Sequence, residues 1–526
     1  MPLFTPEDRH LFSVASELSV ANPFAPERKK LEKRALGDDH VPDADVWSLR
    51  GDPRAREENL RRIERILEQR LTRIHPALRA ATNPGPEALQ LYEEAALFHL
   101  YQRYSDPLLE LSLSAEPEPT APWYARFADE FAHWMAPVSA RRAPTFAAPH
   151  LFALFFQLRR AFVYIFEHLV GASKPAVRLR ASVWESVFTH DPRRYAQRLT
   201  GRMRDFSTLI MGPTGSGKEL VARAIGSSQY RSFDPRTQRF RAAAHLPLNL
   251  SALSSTLIES ELFGHKKGSF TGATQDHAGW LEVVGPEGVV FLDEIGELDQ
   301  ALQVKLLRVL QTRIFQRIGE SEDRQFQGKI IAATNRSLGQ AIEDGRFRGD
   351  LYYRLCSDLI VTPSLAEQLT DAPGELPEML RFVVQRILGG AADDPAVSAA
   401  TEEVLTAVRE ELPRGYGWPG NFRELEQCAR SVLLHGRYAP AIRAAPPAIS
   451  GPRWAPPDSD VIASLDEVLV RYVSWVFAMT GSYVEAARTL GVDRRTVKAK
   501  VDKRLVTTWR GEGRGAGSPR TAPPKP

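Results

Sequence analysis

The sequence predicts a multidomain protein, with an α-helical N-terminal segment, an α/β core on a parallel sheet, a helical extension behind it, and a small helical unit near the C-terminal end. Three observations predict this. At 526 residues the chain exceeds what one hydrophobic core sustains, so two to four domains are expected. Between about 175 and 365, three short apolar runs at 208–211, 289–292 and 329–333 each end in polar residues, as parallel strands do when their C-terminal edge carries function. On either side of that region, apolar residues recur at helical spacing.

The N-terminal segment, 1–172, carries Leu60, Ile63, Leu67, Leu71 and Ile74 on one helical face, and Leu97, Tyr101, Tyr104 and Leu108 repeat the pattern. Proline-rich breaks fall near 84–86, 116–122 and 144–149. The most apolar stretch, 150–171, is interrupted by Gln157, Arg159, Arg160, Glu167 and His168, which makes it a buried amphipathic helix rather than a membrane span. The many aromatic residues here read as core packing in preference to the lining of a ligand pocket. The α/β core is expected over 173–365 and the helical extension over 366–438. A Pro/Ala-rich linker at 439–460, a compact helical unit at 461–508 and a disordered Gly/Pro/Arg-rich tail at 509–526 complete the order.

Composition narrows the class. Hydrophobic residues make up 43% and charged residues 25%, as in soluble globular proteins, and the formal net charge is only +3. Any nucleic-acid contact must therefore come from a local basic patch. Two cysteines, Cys356 and Cys428, are too few for a disulfide framework and lack metal-ligand spacing. Glu7, Asp8 and Arg9 exclude a secretory leader, so a reducing cytoplasm is expected.

Gly212-Pro213-Thr214-Gly215-Ser216-Gly217-Lys218 follows the first apolar run and precedes a helical stretch, the strand–loop–helix context of a phosphate-binding loop. Its glycines let backbone N–H groups converge on phosphate oxygens, the helix N-terminus adds partial positive charge, and Lys218 reaches the β- and γ-phosphates. Glu219 stands where the generic pattern has Ser or Thr. About 75 residues further on, the second run ends in Asp293 and Glu294. Asp293 suits magnesium, directly or through water, and Glu294 suits the polarising of an attacking water, so hydrolysis is the expected reaction. The third run ends at Asn335, placed to sense the γ-phosphate.

The run from Glu259 through Phe263 to Gly268, Ser269, Phe270, Thr271, Gly272 and Ala273 resembles the signature of the sigma-54-dependent activators, a group of bacterial AAA+ proteins. Ser269 replaces their usual alanine, and Glu219 is the norm among them. Further matches are Phe291-Leu292-Asp293-Glu294-Ile295, Leu306-Leu307-Arg308-Val309-Leu310-Gln311, the run from Arg346 to Leu355, and Trp418-Pro419-Gly420-Asn421-Phe422-Arg423-Glu424-Leu425. The resemblance covers about 175–435 and, more loosely, 461–507. It implies an α/β AAA+ P-loop ATPase core with a helical lid and a C-terminal helix-turn-helix. It also implies ATP and Mg as ligands. Phe270 and Thr271 would form the tip that contacts sigma-54, and Asn249 would restrain the catalytic glutamate. Arg348 and Arg354 would reach a neighbouring subunit's ATP, which predicts a homo-oligomeric ring, expected to be a hexamer. Arg423 would contact nucleotide in cis. The lid entrance, 364–374, departs from the family's Arg/Glu-rich pattern.

Residues 478–503 read as a helix-turn-helix similar to the Fis-type module. Gly491 and Val492 make the turn, Asp493 caps the second helix, and Arg494, Arg495, Thr496, Lys498 and Lys500 face DNA. Between 488 and 510 eight Lys or Arg face two Asp, an excess that supplies salt-dependent phosphate affinity. The sequence thus leads to a cytoplasmic activator that binds upstream double-stranded DNA and uses ATP to remodel sigma-54 RNA polymerase, with no membrane partner. Two other readings remain: an AAA+ remodeller of some other protein, and a nucleotide-locked DNA-binding repressor.

Overall fold

The computed structural model describes residues 3–41, 58–114, 116–389, 394–413, 415–440 and 464–506. The expected linker lies outside the described residues from 441 onwards, as does the expected tail at 509–526. The chain divides into two compact units, Met1–Pro440 and Ala441–Pro526.

The first unit begins with helices α1 (Pro6–Val20), α2 (Glu27–Leu36), α3 (Glu58–Ala80), α4 (Pro86–Arg103), α5 (Ser105–Ser112), α6 (Tyr124–Ser139), α7 (Ala148–His168) and α8 (Lys174–Phe188). Thr5 and Asp8 close a capping box at the start of α1. Asp8 is fully buried yet also meets Arg70 at 3.1 Å and Arg73 at 2.6 Å, which pins α1 to α3. On α3 the predicted stripe Leu60, Ile63, Leu67, Leu71 and Ile74 is buried as one face, since residues three and four apart share a side of a helix. The apolar stretch expected at 150–171 is α7. It is largely buried, because helices cover one flank and the other joins a core shared with a sheet.

That sheet has five parallel strands, β1 (Thr208–Met211), β2 (His245–Asn249), β3 (Val289–Asp293), β4 (Lys329–Thr334) and β5 (Asp358–Val361), in the order β2-β3-β4-β1-β5. Side chains alternate between its two faces. Leu209, Val290, Leu292, Ile330 and Ala332 join one core, whereas Ile210, Phe291, Ile331 and Ala333 join the other, which also holds Ile165, Val183 and Phe188 from α7 and α8. The boundary expected at 172 falls in the turn between α7 and α8, and packing is continuous across it. A short hairpin, Phe233–Asp234 with Arg239–Phe240, leaves the sheet region and buries Phe233 and Phe240 against Phe152 at 4.7 and 5.6 Å.

Helices α9 (Lys218–Ser227), α10 (Ser255–Phe263), α11 (Gln300–Thr312) and α12 (Gly349–Leu355) connect the strands. A second hairpin, Ile314–Phe315 with Arg324–Gln325, projects between β3 and β4 in sequence. Four helices follow β5: α13 (Leu365–Asp371), α14 (Leu376–Leu388), α15 (Pro395–Glu411) and α16 (Asn421–His435). They share a core of their own, centred on Leu380, Val404, Trp418 and Leu425. The second unit holds α17 (Leu465–Thr480), α18 (Tyr483–Leu490) and α19 (Arg494–Lys500) around Val473, Val476, Ala486 and Val497.

Ile331 lies fully buried in the central strand β4. Ile331→Ala removes three buried carbons from a sheet packed on both faces and should cost about 2–5 kcal/mol. The measurement is the shift of the urea unfolding midpoint relative to the unaltered chain.

Candidate functional site

The C-terminal ends of β1, β3 and β4 lie side by side, because parallel pairing brings Met211 opposite Thr334 and Leu292 opposite Ala332. Everything that follows these strands therefore opens at one edge. The loop after β1 wraps the start of α9. Gly215 and Gly217 adopt φ of +75° and +91°, which only glycine holds without strain. Two close approaches add to this. A Cβ on Gly212 would lie 2.0 Å from the Thr362 hydroxyl, and one on Gly215 would lie 2.2 Å from the Gly420 carbonyl.

The Lys218 ammonium donates to the carbonyls of Gly212 at 3.1 Å and Pro213 at 3.2 Å. Burial holds it below the ordinary lysine range, while Glu294 and Asp293 pull it back upward. Burial, and then the charge of Glu294 beside it, push the Asp293 carboxyl above its usual value. Glu294 sits at φ +56°, a left-handed conformation rare for a side chain of this size. Its carboxylate accepts from the Asn335 backbone N–H at 3.2 Å, and the Asn335 amide donates to the Thr214 hydroxyl at 2.9 Å. Asn335 thus links the acidic strand end to the glycine-rich loop.

A cavity of about 260 Å³ lies over this edge. Thr214, Gly215, Ser216, Gly217, Lys218, Glu219, Asp293, Glu294 and Arg423 line it, all of them expected site residues. Gly212 and Pro213 stand behind it as the acceptors of Lys218. The arrangement offers backbone N–H groups, one ammonium and a pair of carboxylates around a single space. That set suits a polyanion carrying a divalent cation.

Three parts of the site were not legible in advance. His168, Leu169 and Val170, at the end of α7, form part of the wall, together with Ala176 and Leu179 of α8. No local motif marks them, and only the packing of α7 on α9 brings them there. Asn421, inside the quoted Trp-Pro-Gly-Asn run, donates to the Thr214 carbonyl at 2.9 Å and accepts from the Leu365 N–H at 2.7 Å. It fastens α16 to the loop and to the lid entrance at once. The lid entrance that departs from the family pattern closes a capping box between Ser364 and Glu367. Its following residues reach the turn before α8, where Asp371 accepts from Lys174 N–H at 2.7 Å and Glu375 from Ser173 N–H at 3.2 Å.

Other expected site residues lie apart from the cavity. Asn249 pairs in register with Asp293, but its amide oxygen accepts from the Ser251 N–H and hydroxyl at 2.9 and 2.7 Å. Among the described residues no hydrogen bond joins it to Glu294. Arg348 is exposed and forks onto Asp350 at 3.0 and 2.7 Å, while its backbone N–H is held by buried Gln303 at 2.9 Å. Arg354, also exposed, lies within α12, whose N-cap is Arg348.

The loop of Gly268, Ser269, Phe270, Thr271, Gly272 and Ala273 is a tight turn, with Gly268 N–H donating to the Ala273 carbonyl at 2.8 Å. Thr271 is exposed, and Phe270 is half-buried, edge-on to His265 at 4.9 Å. Open space surrounds both glycines. The base of this turn is tied to the second hairpin: Lys266 N–H donates to the Ile318 carbonyl at 3.0 Å and Ile318 N–H to the Gly264 carbonyl at 2.9 Å. A Cβ placed on Gly319 would sit 2.7 Å from that of Ser269, so glycine is required at 319 beside this turn.

In the second unit, the Asp493 carboxylate accepts from the Arg495 N–H at 2.7 Å and caps α19. Arg494, Arg495, Thr496 and Lys498 are exposed, and Val497 faces the core. Lys500 is half-buried and pairs with Asp466 of α17 at 2.7 Å.

Residues 189–360 match the sigma-54 interaction domain family. The transcriptional regulatory protein ZraR of Klebsiella oxytoca is 40% identical over 305 residues, 57% of this chain and 64% of that protein. The sigma54-dependent transcriptional regulator SfnR of Pseudomonas fluorescens is 42% identical over 233 residues, 43% of this chain and 56% of that protein. The Nif-specific regulatory protein of Azotobacter vinelandii is 42% identical over 229 residues, 43% of this chain and 40% of that protein. A crystal structure of NtrX from Brucella abortus in complex with ADP superposes with a TM-score of 0.37 at 25% identity, over 68% of this chain and 76% of that one. The chain spans less than two thirds of the length of the regulators it matches. With the parallel sheet, the glycine-rich loop and the acidic strand end in one place, residues 189–360 match the sigma-54 interaction domain family on a parallel-sheet α/β core, and the chain is similar over part of its length to transcriptional regulators such as ZraR and SfnR.

Proposed function

We propose that this protein is a sigma-54-dependent transcriptional activator that binds DNA upstream of promoters and uses ATP hydrolysis to remodel sigma-54 RNA polymerase. The observation that carries the reading is the convergence of Lys218, Asp293 and Glu294 on one cavity inside the segment that matches the sigma-54 interaction domain. In this reading 1–172 is the regulatory segment, 173–365 the ATPase core, 366–438 the lid and 461–508 the DNA-binding module, and the protein works in the cytoplasm.

The triphosphate of ATP would lie along the N–H groups of the glycine-rich loop at the start of α9, where the helix dipole favours anions. Lys218, already between that loop and the two carboxylates, would neutralise the outer phosphates. The donor set fits magnesium, since Asp293 is a half-buried carboxylate crowded by Glu294 and a cation there relieves both burial and repulsion. Magnesium would supply charge neutralisation on the phosphates. Glu294 would orient and polarise the attacking water, its carboxylate positioned by the Asn335 N–H. Arg423 lies in the lid at the cavity's rim and would contact nucleotide in the same subunit. Arg348, at the N-cap of α12, and Arg354, within it, stand exposed outside their own cavity, which suits delivery to the next subunit of a ring, hexameric by analogy with the family. Asn249, one strand over from Asp293, would restrain Glu294 in a different nucleotide state.

The turn bearing Phe270 and Thr271 would press on sigma-54, with an aromatic edge and a hydroxyl offered on a glycine-bounded support. Residues 464–506 would read DNA as a helix-turn-helix of the Fis type. Exposed Arg494, Arg495, Thr496 and Lys498 would meet phosphates and base edges, whereas Lys500 would act through its pair with Asp466 to hold α19 in position. Among the described residues no helix is long and apolar enough to cross a membrane.

Three measurements test this reading. Glu294→Gln should keep ATP affinity and slow phosphate release by about 10²- to 10⁴-fold. Equal loss of binding and turnover would remove its role in polarising water. Phe270→Ala should leave ATPase activity largely intact and abolish the complex with sigma-54 that forms in a transition-state nucleotide analogue. If unaltered protein hydrolyses ATP but never engages sigma-54, the protein remodels something else. Replacing Arg494 and Arg495 by Ala should weaken DNA binding across sequences. It should also lower the slope of log affinity against log salt by about one for each lost phosphate contact.

A further inference from the structure

The N-terminal helices enclose a second, larger cavity of about 780 Å³. That volume is in the range that holds a small organic molecule. Aromatic rings dominate its wall, among them Phe98, Tyr101, Phe155, Phe162 and Trp184. The carboxylates that border it are matched within the protein: Glu32 by Arg28 at 3.0 Å, Glu93 by Arg142 at 2.5 Å, and Glu94 by Arg193 at 3.2 Å. Lys29 and Arg159 also border it, each engaged in contacts of its own. A wall rich in rings, whose three carboxylates are each already paired with an arginine, favours a ring-bearing ligand that needs no carboxylate partner.

Helix α7 forms one side of this cavity. Leu151, Leu154, Phe155, Leu158, Phe162 and Phe166 recur at spacings of three and four and share one face. Leu158, Phe162 and Phe166 remain half-buried, whereas Leu151, Leu154 and Phe155 on the same face are buried. The opposite face grips α9. Gln157 donates to the Ser228 carbonyl at 2.9 Å, and buried Arg160 donates to the Gln229 carbonyl. Both carbonyls follow the last turn of α9, where a cation meets the negative end of the helix dipole. Ile165 shares a core with Val221 and Ile225 of α9. The chain then runs through His168, Leu169 and Val170, which border the smaller cavity, into the turn that Asp371 and Glu375 of the lid hold. One rigid helix therefore touches the aromatic cavity, the far end of the phosphate-loop helix and the approach to the lid.

We propose that the aromatic cavity is a binding site for an uncharged aromatic small molecule, and that α7 transmits its occupancy to the glycine-rich loop. Transmission rests on the nucleotide reading above, and binding does not.

The test uses the full chain and N-phenyl-1-naphthylamine, an uncharged aromatic fluorophore. Without nucleotide, its fluorescence should rise saturably at one probe per chain, and hydrogen exchange should slow across 151–166. Leu158→Trp fills the cavity from α7 and Leu97→Trp from the facing helix α4. A variant whose circular dichroism and melting are retained should bind the probe at least about tenfold more weakly, because the indole takes up space the probe needs. Absence of saturable binding would overturn the site, and so would binding that leaves exchange at 151–166 unchanged. With probe saturating, ATP affinity should change by about fivefold or more, the usual lower range for coupled sites. Unchanged ATP affinity alongside probe binding would overturn transmission and leave the site standing. Failure of the chain to bind ATP at all would strike the nucleotide reading, since the probe titration is made without it.

Discussion

The architecture depends on how tightly other backbone crowds the glycine-rich loop. Thr362, at the end of β5, comes so near Gly212 that no side chain fits between them, and Gly420, at the start of α16, does the same at Gly215. Phe422 N–H donates to the Gly215 carbonyl at 3.0 Å, and Asn421 holds the Thr214 carbonyl beside it. The loop's shape is therefore a joint property of β1, β5 and the lid. A displacement of the lid pulls directly on main-chain atoms that face the cavity, with no flexible side chain to absorb it. A methyl group at either glycine would therefore be felt both by the loop and by the element packed on it.

Seen from the other side, the same loop begins a helix whose far end is buried under α7. Gln157 and Arg160 satisfy the carbonyls at that end, a task that water or a cap usually performs. Burying a guanidinium is costly, and the helix terminus and the Phe156 ring at 4.9 Å offset only part of that cost, since burial and the neighbouring Arg231 hold Arg160 well below the ordinary arginine range. The N-terminal helices are thus built into the phosphate-loop helix rather than hung beside it. A displacement of α7 would therefore be felt directly by α9, through hydrogen bonds to main-chain carbonyls and not through a tether.

Much of the core was legible because its chemistry is local. The glycine-rich loop, Asp293, Glu294 and Asn335 each end an apolar strand, and a parallel sheet brings strand ends together without further information. The stripe on α3 was legible for the same reason, since its period of three and four needs no knowledge of a partner. What escaped was long-range. His168 and Val170 become walls of a cavity only because α7 crosses α9, and nothing in their neighbourhood announces it. The aromatic-rich N-terminal segment was read as packing, and most of those rings do pack; the space left among Phe98, Phe162 and Trp184 comes from the relative placement of helices, which composition does not encode. The pairing of Asn249 with Ser251, rather than with Glu294, shows how a motif fixes a residue's position without fixing its hydrogen-bond partner.

The turn that carries Phe270 has two roots. One is its own chain through Gly264 and His265. The other is the second hairpin, joined through Ile318 and through Lys266, which pairs with Glu320 at 3.3 Å. Glu282 in turn clamps that hairpin through Arg317 at 2.7 Å and Arg324 at 2.9 Å. A beam supported at two points cannot swing about either one alone. Rotation about either support is restrained by the other, so a load on the tip would be shared between the sheet region and the hairpin.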